Sequence, residues 1–310
     1  MPLLGTAASQ NIKSFLVVRG AFFSGGHNST LQYDRIDKIA FPVDTKSTLS
    51  AVLSRAKWQH TGAANSGTAA YYAGGTDATY GSEIDKIAFA ADTKTTLAAT
   101  LTSPRWSPAG AANSGTAAYF AGGNDGSELS AIDKIAFSAD TKTTLSATLS
   151  SVRRTGTGAA NSGTAAYYAG GYGSGADISS IDKIAFSADS RTTLAATLTS
   201  ARRTLAGAAN SGTAAYFAGG TGLDGIDKIA FSADTKSTLS AVLTTVCWQF
   251  EGAADSGTAA YYAGGQAGGA GSYLSRFDKI TFSADTKSTL SATLATSAQW
   301  VAGAANSAGL

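Results

Sequence analysis

The sequence predicts an all-β fold, a six-bladed β-propeller of four-stranded antiparallel blades. Three observations predict it. The triplet Ile-Asp-Lys recurs at Asp37, Asp85, Asp133, Asp182 and Asp227, with Phe-Asp-Lys at Asp278. The intervals are 48, 48, 49, 45 and 51 residues, so near-identical units fill almost the whole 310-residue chain. Each unit carries four short β-prone runs separated by Gly, Asn and Asp turn signals, and none keeps helical periodicity over three turns. Four strands per repeat of about 48 residues is the size of one propeller blade.

The strands follow in order. Strand a is Gly-Ala-Ala, turned by Asn-Ser-Gly, which suits a tight hairpin. Strand b is Thr-Ala-Ala-Tyr-Tyr-Ala and ends at Gly-Gly. Strand c is Ile-Asp-Lys-Ile-Ala-Phe. Ser-Ala-Asp-Thr-Lys turns it into strand d, Thr-Leu-Ser-Ala-Thr-Leu. The chain finishes in Gly-Ala-Ala-Asn-Ser at 303–307, a strand a with no strand b after it. It opens, after an unrelated segment, on Ala21-Phe22-Phe23-Ser24-Gly25-Gly26, a strand b. The two ends therefore complete one blade, and closing the ring hides both edge strands. Ser14–Gly20 is the competing source of that strand, but it lacks the repeat sequence. Residues 1–18 read as an N-terminal arm and 19–310 as the propeller.

The order Gly-Ala-Ala, Tyr-Tyr-Ala-Gly-Gly, loop, Ile-Asp-Lys-Ile-Ala-Phe, turn, strand d resembles the kelch repeat. The Gly-Gly pairs Gly25-Gly26, Gly74-Gly75, Gly122-Gly123, Gly170-Gly171, Gly219-Gly220 and Gly264-Gly265 carry the likeness in all six units. The kelch Trp at the start of strand d is missing, and Thr-Leu stands there. The chain is therefore more similar to the simplified, near-identical kelch-like repeats of phage tail-fibre and other virion proteins. That resemblance implies a protein of a virus particle. Its expected partners are a host-surface glycan or protein, and other virion subunits reached through residues 1–18 or a uniform face.

Variation is confined. The loop between Gly-Gly and the residue before Asp is 9, 8, 8, 9, 5 and 11 residues long in units one to six. Subtracting it from each interval leaves 40 residues every time. A second window, between strands d and a, varies in residue type but not in length. In an antiparallel meander the b–c and d–a loops share one face, so one face is diversified and the opposite one is uniform. Insertions on one face of a repeat protein often mark the binding face. The candidate binding residues are Trp58, Trp106, Trp248, Trp300, Arg105, Arg154, Arg203, Tyr33, Tyr80, Tyr172 and Tyr273. Trp, Tyr and Arg dominate interface energetics, and aromatic faces suit the apolar C–H surface of sugar rings. The same residues also fit packing roles: a Trp after strand d suits the space between blades, and one Arg of each pair suits bracing a loop.

Other chemistry is sparse. One Cys excludes an internal disulfide framework and a multi-thiolate zinc site. Two His leave no credible Ser-His-Asp or Cys-His arrangement. The copper centre of galactose oxidase, which a kelch likeness raises, needs two His, tyrosine ligands and a Tyr–Cys crosslink. His27, His60 and Cys247 lie in separate units and do not match it. No enzymatic activity, metal or cofactor is expected. The repeated Asp and Lys of strand c read as structural, and the turn Asp of each unit as bonding its own backbone. Charged residues make up 14% of the chain and net charge is +2, against about 25% charged in ordinary domains. No basic face for nucleic acid is expected from that balance. No secretion signal and no membrane-inserting segment of roughly 18 apolar residues is expected either. The expected location is the virion.

Overall fold

The computed structural model describes residues 19–268 and 271–307. The expected docking arm, residues 1–18, lies outside them. The described residues form six four-stranded antiparallel sheets, with two small two-stranded ribbons among the loops. Blade two shows the pattern, with strand a at Thr61–Asn65, b at Ala69–Ala73, c at Ile84–Ala88 and d at Thr93–Thr96. Blades three to six repeat it from Ala109–Asn113, Thr157–Asn161, Ala206–Asn210 and Glu251–Asp255. Blade one is composite. Its strand a, Ala302–Asn306, pairs antiparallel with Gly20–Ser24, Phe22 lying opposite Ala304, and Ile36–Ala40 and Thr45–Thr48 follow.

Glycine makes the centre. Gly62, Gly110, Gly158, Gly207, Gly252 and Gly303 occupy the second position of each strand a. A methyl group on any of them would collide with the carbonyl oxygen of the next such glycine, and these contacts run from blade to blade in a cycle. Only a residue without Cβ lets six backbones approach so closely. On the uniform face, the side-chain oxygens of Asn65, Asn113, Asn161, Asn210 and Asn306 accept neighbouring-blade Gly N–H groups at 2.7–2.9 Å. Asp255 takes the sixth place and pairs with Arg19.

The core lies between blades rather than within them. Tyr71, Ile84 and Leu101 pack with Phe120, Ile135 and Phe137 of the next blade. Five comparable wedges surround the ring. Each fully buried Ile or Phe contributes about 1.5–3 kcal/mol.

Strand d differs from expectation. In blade two it is Thr93–Thr96, Thr-Lys-Thr-Thr, and the following Leu-Ala-Ala-Thr-Leu leaves the sheet. The turn is tighter than the sequence implies because Asp92 takes a φ of +50°. The departing segment carries Leu101 into the wedge, where it is buried. Only in blade six does strand d run on, over Thr286–Thr293.

The repeated charges join blades. Asp133 accepts Thr144 Oγ1 of its own strand d at 2.7 Å and the backbone N–H of Thr102 from the preceding unit at 2.8 Å. The turn Asp does not bond its own backbone as expected. Its carboxylate instead accepts the strand-c Lys of the preceding blade, as in Lys86–Asp140 and Lys134–Asp189 at 2.7 Å, around to Lys279–Asp44 at 2.6 Å. A tyrosine hydroxyl from the same preceding blade donates to it as well, Tyr71 to Asp140 at 2.8 Å. Neighbouring blades are thus tied by charge-assisted bonds, the stronger class of hydrogen bond, and Lys279–Asp44 ties the last blade to the first.

Candidate recognition face

Each d–a segment presents three successive residues in three directions. The first points inward and is buried: Lys57, Arg105, Arg153, Arg202, Cys247 and Ala298. Four of these supply a cation to the strand-c Asp: Arg105–Asp133 at 2.6 Å, Arg153–Asp182 at 3.0 Å, Arg202–Asp227 at 3.1 Å and Lys57–Asp85 at 3.4 Å. Arg105 is therefore corrected. The sequence puts it on the binding face, but it is fully buried beneath that face. Strand-like alternation sends adjacent side chains to opposite sides, so only the second Arg of each pair reaches the surface.

The second residue points outward: Trp58, Trp106, Arg154, Arg203, Trp248 and Gln299. All but Gln299 are half-buried. The third residue is Gln59, Ser107, Thr155, Thr204, Gln249 or Trp300, each in left-handed backbone with φ between 49° and 64°. That conformation turns its N–H toward the neighbouring blade. Ser107, Thr155, Thr204, Gln249 and Trp300 donate to the preceding third residue's carbonyl at 2.6–3.2 Å. Trp300 thus belongs to this collar and not to the outward set. Inside the collar a cavity of about 30 Å³, room for one water, is lined by Ser107, Gln249, Glu251 and Trp300 among others. Burial, opposed by one hydrogen bond from the Gly252 N–H, pushes the Glu251 carboxyl up to about 8.

Backbone bridges pin the b–c loops to the same face. Trp58 pairs with Thr76, Trp106 with Asn124, Arg154 with Tyr172 and Trp248 with Gln266. The two variable windows are therefore in direct contact. Their side chains form two stacks. In one, Tyr80 lies 6.5 Å from Trp106, Arg154 lies 4.7 Å over Trp106 and 5.0 Å over Tyr172, and Arg203 lies 4.6 Å over Tyr172. In the other, His27 lies 4.5 Å from Trp58 and 6.3 Å from Tyr273, and Trp58 lies 6.3 Å from Trp300. Cation–π contacts of this kind hold an Arg in place while leaving its edge free. Tyr33 joins neither stack. It packs on the wedge between blades six and one, with Arg35 over its ring at 4.0 Å. His27 was legible in the sequence as the first residue after Gly26, the position that pairs with the d–a segment. The sequence reading left it out of the site.

The remaining reactive side chains are inward. Burial pushes the Cys247 thiol up to about 12, against the lowering influence of Arg276. His60 is buried, with Nε2 2.9 Å from Ser24 Oγ. Burial, then the Lys57 and Arg55 charges, hold it well below the ordinary histidine value. Among the described residues no group of three or more His, Cys, Asp or Glu side chains is arranged to hold a metal ion. No protein-family model matches the chain and no curated protein matches it, so the kelch likeness rests on the repeated residues themselves.

Proposed function

We propose that this chain is a non-enzymatic recognition propeller of a virus particle, carried on a tail fibre or similar appendage. Its b–c and d–a face binds a host-surface glycan or protein, and residues 1–18 dock it to the particle. The observation that carries this reading is the outward set. Trp58, Trp106, Arg154, Arg203 and Trp248 emerge on the face that holds every difference in loop length. Beneath them, a near-invariant scaffold of glycine contacts, Asp latches and Lys–Asp ties holds six blades in one geometry. Rigid presentation of half-exposed aromatic and Arg side chains lowers the entropy cost of binding. The unequal outward residues argue against six equal lectin sites.

The test is binding of the purified chain to intact candidate host cells. A Trp58/Trp106/Trp248→Ala variant with an unchanged unfolding transition runs beside it. Loss of binding in the variant supports the reading. A second reading is a capsid or baseplate decoration that contacts only other virion subunits. The uniform face favours it, because its Asn and Gly turns repeat one geometry around the axis and suit a symmetric partner. Binding to particles but to no cell would move the assignment there.

A further inference from the structure

One place on the variable face is open. The b–c loop of blade five has five residues, at 221–225, where the others have eight to eleven. Beside it lies a cleft of about 190 Å³ lined by Arg203, Thr204, Thr221, Trp248 and Gln249. That is smaller than the roughly 300 Å³ at which drug-sized pockets begin, and it suits a single ring.

The cleft holds unused hydrogen-bond donors. Arg203 is positioned without being consumed. Its guanidinium stacks 4.6 Å over Tyr172, and Nη1 stands 3.5 Å from Asp177, a loose contact that leaves the other donors without an acceptor among the described residues. Its sequence neighbour Arg202, by contrast, is buried and donates to the Phe217 carbonyl at 3.1 Å, with Asp227 also 3.1 Å away. Arg154 donates to Glu128 at 3.3 Å. Arg203 is thus the outward Arg with donors to spare, and it lines the cleft together with the half-exposed indole of Trp248.

We propose that this cleft is a subsite for a carboxylated pyranose, a sugar of the hexuronic-acid type. The proposal rests on the recognition reading above and names the chemistry at one point of that face. The indole of Trp248 takes the C–H face of the ring. The free donors of Arg203 take the carboxylate, for which the guanidinium fork is shaped. A neutral sugar leaves the Arg203 donors unanswered, and an acidic peptide side chain leaves the indole uncovered.

The test is a ligand-observed NMR titration of the full chain with methyl β-glucuronoside, and with methyl β-glucoside as the neutral counterpart. The glucuronoside is expected to bind in the millimolar range, about tenfold tighter than the glucoside, as a charge-assisted contact implies. Arg203→Gln removes that preference, Trp248→Ala weakens both glycosides, and Lys94→Gln, on strand d of blade two and remote from the cleft, leaves both unchanged. Equal affinity for the two glycosides, no saturable binding, or an unchanged preference in Arg203→Gln overturns the subsite. The two levels separate cleanly. Cell binding that depends on Trp58 and Trp106, without a glucuronoside response, overturns the subsite and leaves the recognition reading standing. A glucuronoside response without cell binding does the reverse.

Discussion

Arg276 Nε lies 3.3 Å from Asp278 Oδ2 and takes the place of a cation that Cys247 does not provide. In blades two to five the buried strand-c Asp receives its cation from the first residue of the d–a segment. Blade six has Cys247 there, and blade one has Ala298. In both, an Arg two residues before the Asp supplies the charge, Arg276 in one and Arg35 in the other, the latter 3.5 Å from Asp37. The geometry predicts a rescue. Arg276→Ala leaves Asp278 buried without a cation and should cost about 3 kcal/mol, near the lower end for breaking a buried pair. Cys247→Arg in that background should restore most of the loss by recreating the arrangement of Arg105 and Asp133. Urea unfolding of the two variants checks it. A double variant no more stable than Arg276→Ala would show that the two positions are not equivalent.

The axial glycines predict a position-dependent cost. At Gly110 a methyl group meets the Gly62 carbonyl and Thr61 Oγ1, neither of which has room to retreat. Gly110→Ala should therefore destabilise by about 3 kcal/mol or prevent folding, as overpacking in a rigid interior does. At Gly115, in the turn of the same blade, a methyl group meets nothing, and only the φ of +80° resists it. Gly115→Ala should cost roughly 1 kcal/mol. Thermal unfolding of the two variants distinguishes them, and equal costs would argue against the close approach at the axis.

Much of this architecture was legible in the repeat. Constant spacing outside one loop located strands a, b and c, and the unpaired Gly-Ala-Ala at the end pointed to the strand that meets Gly20–Ser24. Strand d was misplaced because its apolar Leu pair reads as alternation. Whether a Leu stays in an edge strand or turns into a wedge depends on the neighbouring blade, which local sequence does not contain. The site was half legible. Trp58 and Trp106 alternate with Lys57 and Arg105 at a period of two, but the direction of that alternation is set by the strand-c Asp of the same blade, far along the chain. The co-occurrence of Cys247 with Arg276, and of Ala298 with Arg35, was a readable signal that the first position is structural. Gln249 and Thr221 carry no such signal, since only the short loop of blade five exposes them.

Phe22 predicts a stabilising substitution. It occupies the position of Tyr71, whose hydroxyl donates to Asp140 at 2.8 Å. The surroundings match. Phe22 lies 4.8 Å from Phe89 as Tyr71 lies 4.8 Å from Phe137, and Lys38 stands 5.0 Å over its ring. Asp92 waits where Asp140 waits in the next blade, accepting only Lys38. Phe22→Tyr should therefore add one hydroxyl–carboxylate bond and stabilise by about 1 kcal/mol. Asp92→Asn should reduce that gain. A double-mutant cycle by urea unfolding measures the coupling, and a null or negative coupling would mean that the hydroxyl does not reach Asp92.

Two sets of carboxyl groups predict opposite limbs of the stability–pH curve. In Asp85, Asp133, Asp227 and Asp278, burial raises the carboxyl, but hydrogen bonds from Ser54, Thr102, Thr199 or Thr244 and a nearby cation outweigh it. Each therefore titrates below its ordinary 3.8. Their contribution is present above that value and is lost as pH falls through the folded values, because protonation must precede unfolding. Glu251 has the other sign. Burial raises it from 4.5 to about 8. Below 4.5 both states are protonated and it costs nothing. Between 4.5 and about 8 the unfolded chain releases a proton that the folded chain keeps, so stability falls as pH rises, and above 8 the full penalty applies. Glu251→Gln keeps an acceptor for the Gly252 N–H and removes the charge. It should leave the acid limb unchanged and raise stability on the alkaline limb by roughly 2–4 kcal/mol, given about 1.4 kcal/mol per pKa unit and partial solvent access. Urea unfolding at about pH 3, 5 and 9 reads both limbs. Parallel curves for wild type and variant from about pH 5 to 9 would show that Glu251 ionises freely in the folded chain.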